Sequence, residues 1–111
     1  MLDEKWGIYA KTWSQPDEAR DATLATLVSE DVTYTDPTAE VVGRAAFSAH
    51  ISNFQKDVPG GFFEIVDVKS HHNHTLARWT LRGKNGAEMM QGTSHATLNS
   101  DGEFTSFTGF F

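Results

Sequence analysis

The chain changes character once, near its middle, and that change limits its fold more than anything else in it. Up to about Val58 the residues read mostly as helices; from Gly61 onward they read as strands and turns. Helices first and strands second predict an α+β fold, with about three helices packed on one face of an antiparallel sheet. No linker, low-complexity run or internal repeat divides the sequence, so its 111 residues are expected to form one domain, 1–111.

Spacing predicts where the elements lie. Trp6, Tyr9, Ala10 and Trp13 recur at three- and four-residue steps, so a helix over about Asp3 to Trp13 buries them on one face. Ser14-Gln15-Pro16-Asp17-Glu18 is a break and restart, with Pro16 in a first turn and the acids near the positive helix end. The second helix then buries Ala19, Thr23, Leu24, Leu27 and Val28 and stops near Ser29-Glu30-Asp31. Val32 to Asp36 is a short strand closed by Pro37, its alternation placing Val32, Tyr34 and Asp36 on one face. A third helix over about Arg44 to Gln55 aligns Phe47, His50, Ile51 and Phe54. Four strands follow: Phe62–Lys69, Thr75–Arg82, Ala87–Asn99 and Glu103–Phe111. Asn85-Gly86 and Asp101-Gly102 mark two of the hairpin turns, and His71-His72-Asn73-His74 fills the first. Helices against a curved sheet leave room for a pocket between them.

Composition narrows the function classes. Without cysteine there are no disulfides, thiolate metal sites or cysteine nucleophile, which fits a reducing cytoplasm. Nine basic against fifteen acidic residues give a net charge of −6, which repels phosphate backbones and anionic lipid. No apolar run approaches the roughly 18 residues of a spanning helix, and Met1-Leu2-Asp3-Glu4 is not a basic signal-peptide start. The expectation is a soluble, cytoplasmic domain that binds neither nucleic acid nor membrane. His71, His72 and His74 lie in a polar turn without a carboxylate cluster, so no metal site is expected there. No phosphate loop, hydrolase elbow or nucleotide fingerprint occurs, and no cofactor is expected.

The stretch Leu27-Val28-Ser29-Glu30-Asp31-Val32-Thr33-Tyr34-Thr35-Asp36-Pro37, followed by Gly43-Arg44-Ala45-Ala46-Phe47, Arg78-Trp79, Gly92 and Leu98 through Phe111, resembles the nuclear transport factor 2-like superfamily. The SnoaL-like branch, with ketosteroid isomerases and polyketide cyclases as relatives, is the nearest in pattern. The resemblance spans nearly the whole chain and implies a cone: a bent sheet around a long helix, an apolar pocket inside, and dimerisation through the outer sheet face. Fold alone does not fix chemistry in this superfamily.

Several residues carry the expected chemistry. Asp36 matches the aspartate that serves as base in the ketosteroid isomerases, and its strand phase turns it inward. Partial desolvation at a pocket rim should raise its basicity; an Asp before Pro is also a common turn residue whose carboxylate binds nearby N–H groups. Tyr9 falls near the tyrosine that those enzymes use to bond the enolate oxygen, and Tyr34 offers a second phenol toward the same space. His50 stands where those enzymes have an apolar residue, and pairs with Asp36 either as a proton-shuttling dyad or as a core histidine. Ser94 falls where they carry a protonated aspartic acid; its shorter, less acidic hydroxyl is the weaker donor, which argues against steroid isomerisation itself. Trp6, Trp13, Phe47, Phe54, Met90, Phe107 and Phe111 are the expected apolar walls.

Two functions compete on these grounds. One is an acid/base isomerase, cyclase or dehydratase acting on a small apolar carbonyl compound through an enolate. The other is a non-catalytic ligand-binding or dimerisation module. An open pocket on which Asp36, His50 and a tyrosine converge favours the first. Bulky residues on both faces of the late strands, among them Trp79, Leu81, Leu76, Phe104 and Phe107, predict a homodimer.

Overall fold

A computed structural model describes residues 2–111. In chain order they form α1 (Leu2–Thr12), α2 (Asp17–Leu27), β1 (Val28–Asp36), β2 (Ala39–Val42), α3 (Arg44–Asp57), β3 (Phe62–His71), β4 (His74–Arg82), β5 (Glu88–Leu98) and β6 (Phe104–Phe110). The six strands make one curved, unclosed sheet in the order β2-β1-β6-β5-β4-β3. Its concave face holds the helices, so the α+β cone is observed.

The sheet is mixed rather than antiparallel throughout. β1 runs parallel to β6, while every other neighbouring pair is antiparallel. β2, which the sequence reading missed, folds back on β1 across Pro37-Thr38, with Asp36 opposite Ala39. β1 also starts at Val28, directly after α2 and four residues earlier than alternation suggested, because its pairing with β6 shifts register between Val28 and Thr33. Val28 is therefore a strand residue rather than part of the second helix.

The inner face of α1 carries Trp6, Tyr9 and Ala10, all buried, with Trp13 in the turn that follows. Tyr9 stacks on Phe107 at 4.3 Å, Tyr34 on Phe47 at 4.9 Å, and Trp6 packs 5.2 Å from Phe104. Trp6 Nε1 donates to Thr75 Oγ1 at 2.9 Å, which ties α1 to β4. α2 buries Leu24 and Leu27 as predicted, but its inner face begins at Arg20 rather than Ala19. Ala19 is exposed and Thr23 half-buried, while Arg20, Leu24 and Leu27 face inward. Arg20, 1% exposed, donates through Nε to Ser48 Oγ at 2.9 Å and through its terminal nitrogens to the Gln15 carbonyl, Asp17 and Ser52. A buried guanidinium needs this many acceptors to offset its lost hydration, and here they clasp α2 to α3.

Phe104 and Phe107 point the same way, against simple alternation. The pairing of β5 with β6 shifts register between Thr97 and Leu98, where Thr97 opposes Ser106 and Leu98 opposes Phe104. The extra residue in β6 turns both rings inward. Trp79 and Leu81 are inward as well, so the apolar outer face expected of the sheet is smaller than the sequence suggested. Leu76 and Phe110 remain exposed there, beside the Thr93, Thr97 and Thr108 positions. No helix among the described residues is long and apolar enough to cross a membrane.

Candidate active site

A cavity of about 300 Å³ opens between α1, α3 and the concave sheet face. Four elements supply its polar groups, together with Thr38 in the β1–β2 turn. β1 delivers Tyr34 and Asp36, α3 delivers His50, Asn53 and Asp57, α1 delivers Tyr9, and β5 delivers Ser94. Period 2 along β1 and a 50, 53, 57 stripe along α3 put these side chains on the cavity side.

Asp36 divides its two oxygens between two tasks. Oδ1 accepts from the Thr38 backbone N–H and from Thr38 Oγ1, each at 2.7 Å, which is the turn role. Oδ2 accepts from Tyr34 Oη at 2.5 Å and faces the cavity. His50 Nε2 lies 3.9 Å from the same Oδ2, beyond hydrogen-bond length, so the two interact as charges when the imidazole is protonated. The Asp36 side chain is only 5% exposed. Burial pushes its carboxyl up, but the donors from Tyr34 and Thr38, with His50 nearby, outweigh burial and hold it below the usual carboxylate range. The raised basicity expected from desolvation is therefore not found. Asp36 is an ionised carboxylate in an apolar surround.

Both tyrosines stay protonated, because burial pushes their hydroxyls well above the ordinary phenol range; at Tyr9 the Trp13 N–H opposes the rise and Asp36 adds to it, and at Tyr34 first Tyr9 and then Asp36 add to it. They differ in what that proton does. The Tyr34 proton is held by Asp36, so this residue orients the carboxylate and is not free for a ligand. Tyr9 Oη accepts from Trp13 Nε1 at 3.0 Å, and its own proton has no acceptor among the described residues. Ser94 repeats the pattern: Oγ accepts from Trp79 Nε1 at 3.0 Å and its proton is likewise unclaimed. Two indole N–H groups thus polarise two hydroxyls that line the cavity.

Two glycines make room for this. A Cβ at Gly109 would lie 3.4 Å from Asp36 Cβ and 3.8 Å from Ser94 Oγ, so the carboxylate and the serine flank an empty position. A Cβ at Gly92 would approach Trp79 to 2.3 Å, so the indole crosses the strand only because position 92 has no side chain.

Of the expected walls, Trp6, Trp13, Phe54, Met90 and Phe111 line the cavity. Phe47 and Phe107 do not; they are fully buried beneath it and support Tyr34 and Tyr9 from behind. The sequence reading missed Asn53, Asp57, Phe63, Ile65, Trp79 and Gly109. The first two were within reach of helical spacing, since they continue the His50 stripe. The turn histidines lie elsewhere: His74 Nδ1 is 3.0 Å from His95 Nε2 on the outer sheet face, and His71 contacts His72. Arg78, also outward, sits 3.7 Å from Asp67 on the neighbouring strand.

A curved sheet wrapped on helices around a cavity with an inward carboxylate defines a class of cone-shaped α+β domains. Within that class, residues 9–107 match the SnoaL-like domain, and the chain belongs to that family. A proposed isomerase of the SnoaL-like family from Agrobacterium tumefaciens is 25% identical over 96% of this chain and 93% of that one, with a TM-score of 0.91. A proposed SnoaL-like polyketide cyclase from Jannaschia sp. is 12% identical, covers 98% of this chain and 83% of its own, and has a TM-score of 0.80. A hypothetical protein with a ketosteroid isomerase-like fold from Catenulispora acidiphila, in complex with trimethylamine, is 18% identical over 97% and 85%, at 0.74. The last two likenesses are of fold alone. No match among curated proteins accompanies them.

Proposed function

We propose that this protein is a cofactor-free acid/base enzyme of the isomerase or cyclase kind, acting on a small, mostly apolar carbonyl compound through an enolate. The observation that carries the reading is the pairing of one proton acceptor with two free donors around one cavity. A carbonyl oxygen bonded to Tyr9 and Ser94 would place an adjacent C–H toward Asp36 Oδ2. Asp36 takes that proton, and the C–H electron pair moves to the oxygen as an enolate held by the two hydroxyls. Returning the proton to a different carbon completes an isomerisation; attack of the enolate on a second carbonyl forms the ring bond, and Asp36 gives its proton to the alkoxide so formed to complete a cyclisation. His50 adds positive charge beside Asp36 when protonated and so steadies its ionised form.

The depressed proton affinity of Asp36 limits the substrate. So weak a base removes only a proton whose enolate is strongly stabilised, as between two carbonyls or between a carbonyl and a double bond. A volume near 300 Å³ holds about ten water-sized groups, enough for a compound of one or two small rings. The same low basicity favours the rival reading, a binding module in which Asp36 only orients a ligand. Deuterium exchange from solvent into small β-dicarbonyl and β,γ-unsaturated ketones, followed by NMR, decides between them. Exchange that disappears in Asp36→Asn supports the enzyme; ligand binding without exchange in the wild type supports the module.

The proposal includes a homodimer through the outer sheet face, now centred on Leu76 and Phe110. Sedimentation should show dimers at tens of micromolar, roughly the range for a modest interface, and Phe110→Lys should shift them to monomer.

A further inference from the structure

The cavity's mouth differs from its floor, and the difference concerns charge. No Lys or Arg lines the cavity, while Asp36 and Asp57 both do. Asp57 ends α3, one turn beyond Phe54 on the same helical face, is exposed, and has no salt-bridge partner among the described residues. The negative end of the α3 dipole adds to its field. Beside it three aromatic rings form a cluster: Trp13 to Phe54 at 5.2 Å, Trp13 to Phe63 at 5.5 Å, and Phe54 to Phe63 at 5.3 Å. All three line the cavity. Trp13 stands nearly perpendicular to both Phe rings, at 84° and 73°, so the three rings line one space without closing into a stack.

We infer that this mouth is an ammonium site: Trp13, Phe54 and Phe63 contact the cation, Asp57 balances its charge, and the substrate therefore carries a positive amine opposite its carbonyl. The inference rests on the reading of this cavity as the substrate site and adds the substrate's charge to it. Ring faces attract a cation through their quadrupoles, and a carboxylate at the same opening supplies the ionic term. An anionic substrate meets two carboxylates and a protein of net charge −6, with no Lys or Arg in the wall; His50, the one group there able to carry positive charge among the described residues, lies against Asp36. Lys56 is the neighbour of Asp57 and Lys84 packs near Gly60 at this end of the molecule, but neither lines the cavity.

Three ketones of nearly one shape test this: acetophenones carrying a para trimethylammonium, tert-butyl or carboxylate group. Their dissociation constants can be read from quenching of the tryptophans in the cavity wall. The ratio of ammonium to tert-butyl affinity removes the shared apolar contribution. That ratio should fall about two- to five-fold in Asp57→Asn, the range for an exposed charge pair, and by a similar factor in Phe63→Leu through the lost ring. It should shrink as salt rises and stay constant in Asp101→Asn, a remote surface control. The carboxylate compound should bind most weakly. An unchanged ratio in Asp57→Asn, or a carboxylate that binds as well as tert-butyl, overturns the inference. Failure of all three ketones to bind overturns it together with the cavity reading. The acetophenones lack the second activating group that Asp36 requires, so no turnover is expected of them; absent exchange into the β-dicarbonyl compounds counts against the acid/base reading alone, and the ratio still decides the ammonium site.

Discussion

Two polar networks lie inside this molecule, one between α2 and α3 and one around the cavity. In the first, Arg20 meets Gln15, Asp17, Ser48 and Ser52, and Ser48 goes on to Asp21. Every nitrogen of the guanidinium has an acceptor, and the Arg20 and Ser52 donors hold the Asp17 carboxyl below its usual range. In the second, Asp36 keeps one oxygen toward open space, and the Tyr9 and Ser94 protons have no acceptor. Both networks contain an ionised group, hydroxyls and short hydrogen bonds, so residue type does not separate them. What separates them is how fully the charged group is matched. Every nitrogen of Arg20 is taken, with only the Gln15 side-chain oxygen beside it left without a partner, and that network holds helices together. The cavity network keeps a carboxylate oxygen and two hydroxyl protons toward open space.

The largest test of that contrast is Asp36→Asn. The amide keeps the shape and loses the base, so turnover should drop by about 10²–10⁴-fold, with ligand affinity nearly retained in fluorescence titration. His50→Phe should cost less, since no reacting proton is assigned to it. Tyr9→Phe comes next, lowering kcat by about 10²-fold as one oxyanion donor is lost and also orphaning the Trp13 N–H. Ser94→Ala should follow the same direction with a smaller loss. Arg20→Met is the counterpart from the other network: thermal or urea unfolding should show a loss of about 2–3 kcal/mol, while turnover per folded molecule stays as in wild type. If Arg20→Met abolishes turnover in folded protein, the two networks are not separate.

The smallest effect is expected from Tyr34→Phe, about 1 kcal/mol of stability and an upward move of the acid limb of the pH–rate profile. The sign follows from the carboxyl. Asp36 is held below its ordinary 3.8 when folded, so its contribution to stability is complete above that value and disappears as pH falls through the lower folded one. Without the Tyr34 donor the folded value rises, and both activity and acid resistance should be lost at higher pH. An acid limb that stays in place would show that Tyr34 does not tune Asp36.

Much of this was legible before any coordinates. The 3–4 spacing of Trp6, Tyr9 and Trp13, the alternation of Val32, Tyr34 and Asp36, and the Asn-Gly and Asp-Gly turns each encode local geometry, and each reappears in the structure. Asp36, His50 and Tyr9 do share a cavity. What was not legible depends on partners far along the chain. The β6 irregularity that turns both Phe104 and Phe107 inward is a matter of pairing with β5, invisible to a periodicity count. The direction of the Asp36 shift was also misjudged, because burial can be guessed from strand phase but the Thr38 and Tyr34 donors cannot. Arg20 was passed over because an arginine in a helix reads as solvated until its acceptors on α3 are known. Gly92 and Gly109 carry no chemistry of their own; their importance lies in what crosses over them.

The parallel pairing of β1 with β6 sets when the walls of the cavity can come together. Thr33 meets Ser106 and Tyr34 meets Phe107, contacts more than seventy residues apart, and loops of that length close late relative to hairpins such as β3–β4 or β4–β5. Asp36 rides on β1, Ser94 on β5, and Gly109 between them on β6. Acceptor and donor therefore come face to face only when β6 settles into the gap between β1 and β5. A partly folded chain, however helical, carries a tyrosine and an aspartate with nothing to act on jointly, and the assembled cavity arrives in one late step rather than by degrees.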